Sequence, residues 1–223
     1  MTRRRLGRLL LIVRSLPTTL RFNLAYFPLS QALKLPVIVS HNVLMDRLGG
    51  AVELPGQTWT GMVRIGFGHA LLFDYQRSRS IWRVDGRVVF QGRASLGHGT
   101  RLSVGRDGTV VFGPDFDTIE SSILCRKAVS FGRGVLISWD VLVMDSDRHP
   151  ITDSSGTRLN PDLDVAVGDH VWIGCRSTVL KGARIADGSV VGAGSVVTGE
   201  FASANSIIAG VPAREMRTGV NWS

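Results

Sequence analysis

The chain has 223 residues, 44% hydrophobic and 20% charged, a balance that excludes a disordered chain and a collagen-like fibre. Its two cysteines, Cys125 and Cys175, are too few for a disulfide framework and read as thiols of a reducing compartment. The net charge of +8 is local: residues 1–50 hold eight cations and one anion, 8 − 1 = +7, so the rest of the chain is near neutral and offers no nucleic-acid groove.

Residues 1–50 form a basic lead-in. The apolar run Leu9 to Val13 is closed by Arg14; it is shorter than a signal-peptide core of about 7 to 15 residues and far below the roughly 20 needed to span a bilayer. Neither a cleaved signal nor a transmembrane helix is predicted. Arg3, Arg4, Arg5 and Arg8 beside Leu6, Leu9, Leu10 and Ile12 suit residues 1–14 to peripheral contact with an anionic membrane face, each nearby cation contributing about 1 kcal/mol. The same residues suit a helix packed on its own domain or on a neighbouring subunit. Pro28, Pro36 and the run Val37-Ile38-Val39 turn helix into extended chain, and 51–84 reads as an irregular strand entry to a repeat.

That repeat occupies residues 85–210. Aliphatic residues recur every sixth position at Val167, Ile173, Val179, Ile185, Val191 and Val197, with a small or β-branched residue four later at Val171, Ser177, Ala183, Ser189 and Ser195. In the same phase, counting backwards, stand Val143, Ile137, Phe131, Cys125 and Ile119; Phe90, Leu96 and Leu102 form an earlier set offset by one residue. A stride of six is neither 2.0 nor 3.6, so each repeat is one short strand and one corner of a triangular coil, with the aliphatic pointing inward and stacking on its equivalents. Glycine after the aliphatic, at Gly168, Gly174 and Gly192, is expected to serve a turn needing φ > 0. Only 144–166 breaks the phase; rich in Asp, Ser, Asn and Pro, it reads as a loop leaving the coil. Residues 211–223 are a tail.

Four segments stand out: Met144-Asp145-Ser146-Asp147-Arg148-His149-Pro150-Ile151, Val171-Trp172-Ile173-Gly174, Val191-Gly192-Ala193-Gly194-Ser195-Val196-Val197, and Ile208-Ala209-Gly210-Val211-Pro212-Ala213-Arg214. In this order and spacing the chain resembles the hexapeptide-repeat acyltransferases, in the branch that acetylates sugar hydroxyls, including capsular polysaccharides. The resemblance implies an all-β, left-handed parallel β-helix with a helical or extended lead-in and a protruding loop, a homotrimer with active sites between subunits, and acetyl-CoA as donor. It assigns pantetheine contact to Ala193 beside Gly192 and a wall position near the thioester to Trp172.

Acetyl transfer from a thioester to an alcohol needs a base, and imidazole has the ordinary pKa for it. His149 is the candidate, with Asp145 and Asp147 as acceptors for one ring nitrogen. Arg214 and Arg217 suit the CoA phosphates; the stretch Thr198-Gly199-Glu200 lacks the lysine common in relatives, which throws more of that binding onto the arginines. The five histidines lie 28, 29, 51 and 21 residues apart, which argues against a metal site. The reading is therefore a cytoplasmic acetyl-CoA-dependent O-acetyltransferase of saccharide hydroxyls, of the capsule or lipopolysaccharide type, acting through a general base without metal and without nucleic acid. The alternatives are N-acetylation of a nucleotide-linked amino sugar and a non-catalytic scaffold.

Overall fold

A computed structural model describes the backbone of residues 3–68 and 78–223, with side chains from Leu10 onward. The side chains of Arg3, Arg4, Arg5 and Arg8, and His69, lie outside the described residues. Helix α1 spans Arg3–Tyr26 and a short helix α2 spans Leu29–Ala32. The strands that follow them wind through three parallel sheets. The first begins at Val37–Val39 and climbs coil by coil to Ser206–Gly210; the second runs from Val43–Leu48 to Val196–Val197, and the third from Ala51–Glu53 to Glu200–Phe201. At the far end the first sheet is closed by Ala213–Thr218, paired antiparallel with Ser206–Gly210.

Each six-residue stride brings the chain to the next sheet, so three strides bring it back one coil higher. Equivalent side chains therefore stand directly above one another. Ile137, Ile173, Val191 and Ile208 form one inward column, Ile123, Val143, Val179 and Val197 a second, and Phe131, Val167, Ile185 and Phe201 a third. One coil cannot bury its own apolar face, so these columns are the core. Further back the third column becomes aromatic, Phe90, Phe112 and Phe131 stacking at 5.1 and 5.7 Å between ring centroids. The narrow corners hold small residues: Ser177, Ser189 and Ser195 are buried with their hydroxyls bonded, Ser195 Oγ donating to the Gly192 carbonyl at 2.6 Å.

Three expectations are corrected. The coil starts at Val37, not near residue 85, so the lead-in ends at residue 36 and the strands Ala51–Glu53, Val63–Ile65 and Ser80–Val84 belong to the coil; the uneven spacing of these strands along the sequence hides the stride there. The inward residue above Leu96 is Thr118, not Ile119, and the partner of Val143 is Ile123, not Cys125, which stacks on Val104 instead. Gly168, Gly174 and Gly192 do not have positive φ; the left-handed corner positions are His170, Arg176, Gly182, Gly188 and Gly194. What glycine provides at 174 is room, since a Cβ there would lie 2.7 Å from the Ala193 nitrogen and from the Val191 carbonyl oxygen of the next coil.

The first strand, Val37–Val39, has no coil beneath it, and an open strand edge is a liability. Helix α1 covers it with a ladder of polar side chains four residues apart. Asn23 Nδ2 donates to the Val37 carbonyl at 2.7 Å and its Oδ1 accepts from the Val37 N–H; Thr19 Oγ1 accepts from the Val39 N–H at 3.0 Å and donates to the Val39 carbonyl; Ser15 Oγ accepts from the His41 N–H at 3.1 Å. All three side chains are buried, so they stand in for the missing strand. Because truncation strands two backbone groups of Val37 away from water, Asn23→Ala is expected to destabilise the fold by about 2 kcal/mol. Chemical denaturation checks this, with exposed Leu24→Ala as the comparison that stays within about 0.5 kcal/mol.

Candidate active site

The protruding loop leaves the second sheet after Met144 and returns to the third at Val165. Its root is fixed by Asp145. This side chain is fully buried and continues the inward column of Val104 and Cys125; its carboxylate accepts from the Arg126 N–H (2.8 Å), the Lys127 N–H (2.8 Å) and the Cys125 thiol (3.3 Å). Burial, followed by the Asp145 charge, pushes the Cys125 thiol far up, so it stays a neutral core group and not a nucleophile.

Beyond the root, the loop is organised around Asn160. Its Nδ2 donates to Asp147 Oδ2 at 2.8 Å and to the His149 carbonyl at 2.9 Å, and its Oδ1 accepts from the Ile151 N–H at 2.6 Å. Asp147 also receives the Lys181 ammonium at 2.5 Å, and its carbonyl accepts the His149 N–H. The Lys181 and Asn160 hydrogen bonds hold the Asp147 carboxyl below the usual carboxylate range. His149 itself is exposed, on the outgoing limb of the loop ahead of the turn at 153–157, and among the described residues its ring makes no hydrogen bond.

The structure thus places Asp147 and His149 together but gives both acidic side chains partners other than the imidazole: Asp145 holds the corner of the preceding coil and Asp147 holds Lys181 and Asn160. Neither bonds the His149 ring; what is held is its backbone, by the Asp147 carbonyl and by Asn160. Asn160 and Lys181 are the residues that sequence reasoning passed over. Asn160 stood among other turn formers, and Lys181 belongs to a repeat one coil later. Asn160→Ala is expected to lower the acetyl-transfer rate about tenfold to a hundredfold by releasing the His149 backbone, with little change in KM for the donor. Steady-state kinetics on the full chain checks it. The tether of Asp147 to Lys181 is retained at pH above the ordinary carboxylate value and lost only as pH falls through the lowered one, so loop order persists into acid below that ordinary value.

The candidate donor residues lie on the coils beyond the loop. Trp172 projects from the first sheet, 38% exposed, its Nε1 donating to Ser138 Oγ at 3.1 Å. Beside it the tail folds back: Trp222 stacks on His170 with centroids 4.2 Å apart and lies 6.1 Å from Trp172. Gly192 and Ala193 form the turn after Val190–Val191, where Ala193 is exposed and no described acceptor takes its N–H. Arg214 and Arg217 stand exposed on the closing strand Ala213–Thr218. A wall of small residues with a free N–H, an aromatic face and two guanidinium groups fits a long thioester arm ending in phosphates. Topology keeps this wall apart from His149 within one chain: the loop is rooted between the second and third sheets, whereas Trp172 and the closing strand belong to the first. Among the described residues no group of three or more His, Cys, Asp or Glu side chains could hold a metal ion, and no helix is long and apolar enough to cross a membrane.

Comparison with known proteins agrees with this architecture. The family described as bacterial transferase hexapeptide (six repeats) matches residues 164–199. WbbJ of Escherichia coli K12, named for O-acetyl transfer in lipopolysaccharide biosynthesis, is 34% identical over 142 residues, covering 59% of this chain and 72% of WbbJ. The galactoside O-acetyltransferase of the same organism is 32% identical over 123 residues, covering 54% of this chain and 55% of that protein, so the chain spans about half of that relative. A polysialic acid O-acetyltransferase of Escherichia coli O1:K1 is 32% identical over 126 residues, covering 56% of this chain and 39% of that protein. Among solved structures, the polysialic acid acetyltransferases NeuO and OatWY share the fold, with TM-scores of 0.53 and 0.50 at 19% and 20% identity, each covering 84% of this chain and 87% and 90% of theirs. The coil is a left-handed parallel β-helix, the opposite hand to the usual parallel crossover, and the chain belongs to the hexapeptide-repeat acetyltransferases.

Proposed function

We propose that this protein transfers an acetyl group from acetyl-CoA to a hydroxyl of a bacterial surface saccharide, with His149 as general base. The observation that carries this reading is an exposed imidazole on the outgoing limb of a loop whose backbone is locked there by one buried side chain, Asn160. His149 takes the proton of the acceptor hydroxyl as its oxygen attacks the thioester carbonyl, and the CoA thiolate leaves and is protonated. The neutral, buried Cys125 argues for direct transfer over an acyl-enzyme. Because the loop and the donor wall arise from different faces, the reading includes a homotrimer in which His149 of one subunit meets Trp172, Gly192, Ala193, Arg214 and Arg217 of the next. The relatives named for lipopolysaccharide and polysialic acid support a saccharide hydroxyl as acceptor. Thiol release from acetyl-CoA in the presence of a glycan panel, followed by mild base, tests it: an ester product is hydrolysed, whereas an amide that survives would assign an amino sugar, and no saccharide-dependent release from any glycan would end the proposal.

Peripheral attachment to an anionic membrane also belongs to this reading. The outer face of α1 leaves Leu10, Val13, Leu16 and Leu24 between 45% and 59% exposed, and the exposed Arg14 and the helix's Arg21 share that face. Cosedimentation with vesicles containing phosphatidylglycerol is expected for the wild type and lost in the triple variant Leu10→Ser, Val13→Ser, Leu24→Ser, which leaves Ser15, Thr19 and Asn23 in place.

A further inference from the structure

On the opposite side of the loop root from the donor wall lies a cleft of about 260 Å³ that the chemistry above does not use. Its position is set by the repeat. The outward side chains of the second sheet stand in a column, Arg83 beside Ser103 and Ser103 beside Leu124, and the adjoining corner carries Gly105. A serine beside Arg83 and a glycine beside Arg126 leave a hollow, and Arg47, Arg83, Arg126 and Arg148 surround it. Two of the four are already matched, Arg83 to Asp46 at 2.7 Å and Arg47 to Asp85 at 3.4 Å. Among the described residues, Arg126 and Arg148 have no carboxylate within ion-pair distance. The one other acid lining the cleft, Asp145, is spent on the Arg126 and Lys127 backbone N–H groups and the Cys125 thiol. Arg148 also holds a left-handed backbone, φ 66°, fixed by its N–H donating to Ser146 Oγ at 3.0 Å. A non-glycine residue in that region costs of order 1 kcal/mol and persists where its surroundings demand it. Here it stands directly before His149.

We infer that this cleft binds an anionic group of the acceptor, a sugar carboxylate or a phosphate, through Arg126 and Arg148, and so places the neighbouring hydroxyl beneath His149. The inference rests on the acetyl-transfer reading and deepens it by naming the acceptor as an acidic saccharide. Two forked guanidinium groups on one rim match the oxygens of a carboxylate or phosphate better than any neutral sugar would. The donor phosphates are served by Arg214 and Arg217 on another sheet, which leaves this second basic site to the acceptor.

The test is a binding titration of the full chain with three probes: a sialic acid oligomer, UDP-N-acetylglucosamine and methyl β-galactoside. At least one of the two anionic probes is expected to bind, and which one does separates carboxylate from phosphate. Raising the salt from about 50 mM to about 500 mM is expected to weaken that binding. The double variant Arg126→Ser, Arg148→Ser is expected to weaken it about tenfold or more while leaving acetyl-CoA affinity and thermal unfolding unchanged. Failure of both anionic probes to bind, or equal binding by the variant, would overturn the inference, as would loss of acetyl-CoA affinity in the variant, which would make the cleft a donor site. Acetyl transfer to neutral sugars, measured alongside, keeps the enzymatic reading separate: if it persists while anion binding is absent, only the acidic acceptor falls.

Discussion

Replacing His149 by alanine is expected to lower the rate of saccharide acetylation by about a thousandfold, within the 10² to 10⁴ that a positioned base contributes. The reason is geometric. The ring is exposed and unencumbered, while its main chain is held at both ends, the N–H by the Asp147 carbonyl and the carbonyl by Asn160. Truncation at the β-carbon leaves those backbone bonds untouched, so the loss belongs to proton transfer and not to loop collapse. Acetyl-CoA affinity is expected to stay within about twofold, because the donor wall is carried by another face of the prism. The measurement is initial velocity by thiol release, paired with donor titration and circular dichroism. A His149→Ala protein retaining a tenth or more of wild-type turnover would remove His149 from the chemistry and leave the loop as a binding element.

The candidate site was legible in the sequence as chemistry and less so as geometry. A histidine in the long loop 144–166, which breaks the phase of the later repeat, points to a base, since a loop can carry a side chain away from the coil wall. The two aspartates near it invite the reading that they orient the ring. The structure assigns them to holding backbone and lysine instead, and the reason is physical: Asp145 occupies an inward position of the stack, where its oxygens need donors from buried N–H groups. Nothing local in Asp145-Ser146-Asp147 distinguishes an inward carboxylate from an outward one. Asn160 is likewise one turn-forming residue among many until its three hydrogen bonds are seen.

The fold shows the same division. From Val167 to Val197 the stride of six holds, because the corners there have constant length: Ile173 to Val191 and Val179 to Val197 are 18 residues each, one full coil, whereas the last coil shortens, Ile185 to Phe201 taking 16 and Val191 to Ile208 taking 17. Upstream the corners vary, Leu96 to Thr118 taking 22 residues, Leu102 to Ile123 taking 21 and Phe112 to Phe131 taking 19. A count by six loses phase there although the columns never break. It also fails where a column admits a polar residue, as at Thr118, whose hydroxyl is satisfied by Ser121 Oγ at 2.6 Å. The cap on the first strand did leave a trace, Ser15, Thr19 and Asn23 at four-residue spacing on a helix, yet polar residues so placed read as a solvated face until the strand they cover is known.

The corner glycines carry the second large effect, on stability. In the turns after Phe112, Phe131 and Val167 stand Gly113, Gly132 and Gly168, stacked in successive coils. A Cβ at Gly132 would meet the Asp169 carboxylate and lie 2.6 Å from the Gly168 carbonyl carbon and 2.7 Å from the Asp169 nitrogen. That carboxylate accepts the Arg133 N–H at 2.8 Å, as Asp187 accepts the Asp169 N–H at 2.7 Å one coil on. Glycine thus makes room for the acid that caps the corner, and the obstacle to any side chain is backbone, which cannot rotate away. Gly132→Ala forces adjacent coils apart against their parallel ladders and is expected to cost about 3 to 5 kcal/mol, near the total stability of a marginal domain. Gly199→Ala provides the comparison, because a Cβ there meets nothing within 4 Å and φ is not positive; it is expected to be neutral or to stabilise by up to about 1 kcal/mol through the unfolded chain. Denaturant midpoints for the two variants decide the matter. If Gly132→Ala unfolds within about 1 kcal/mol of wild type, the coils are not in direct backbone contact at that corner, and the account of why this repeat needs glycine after its inward residue fails with it.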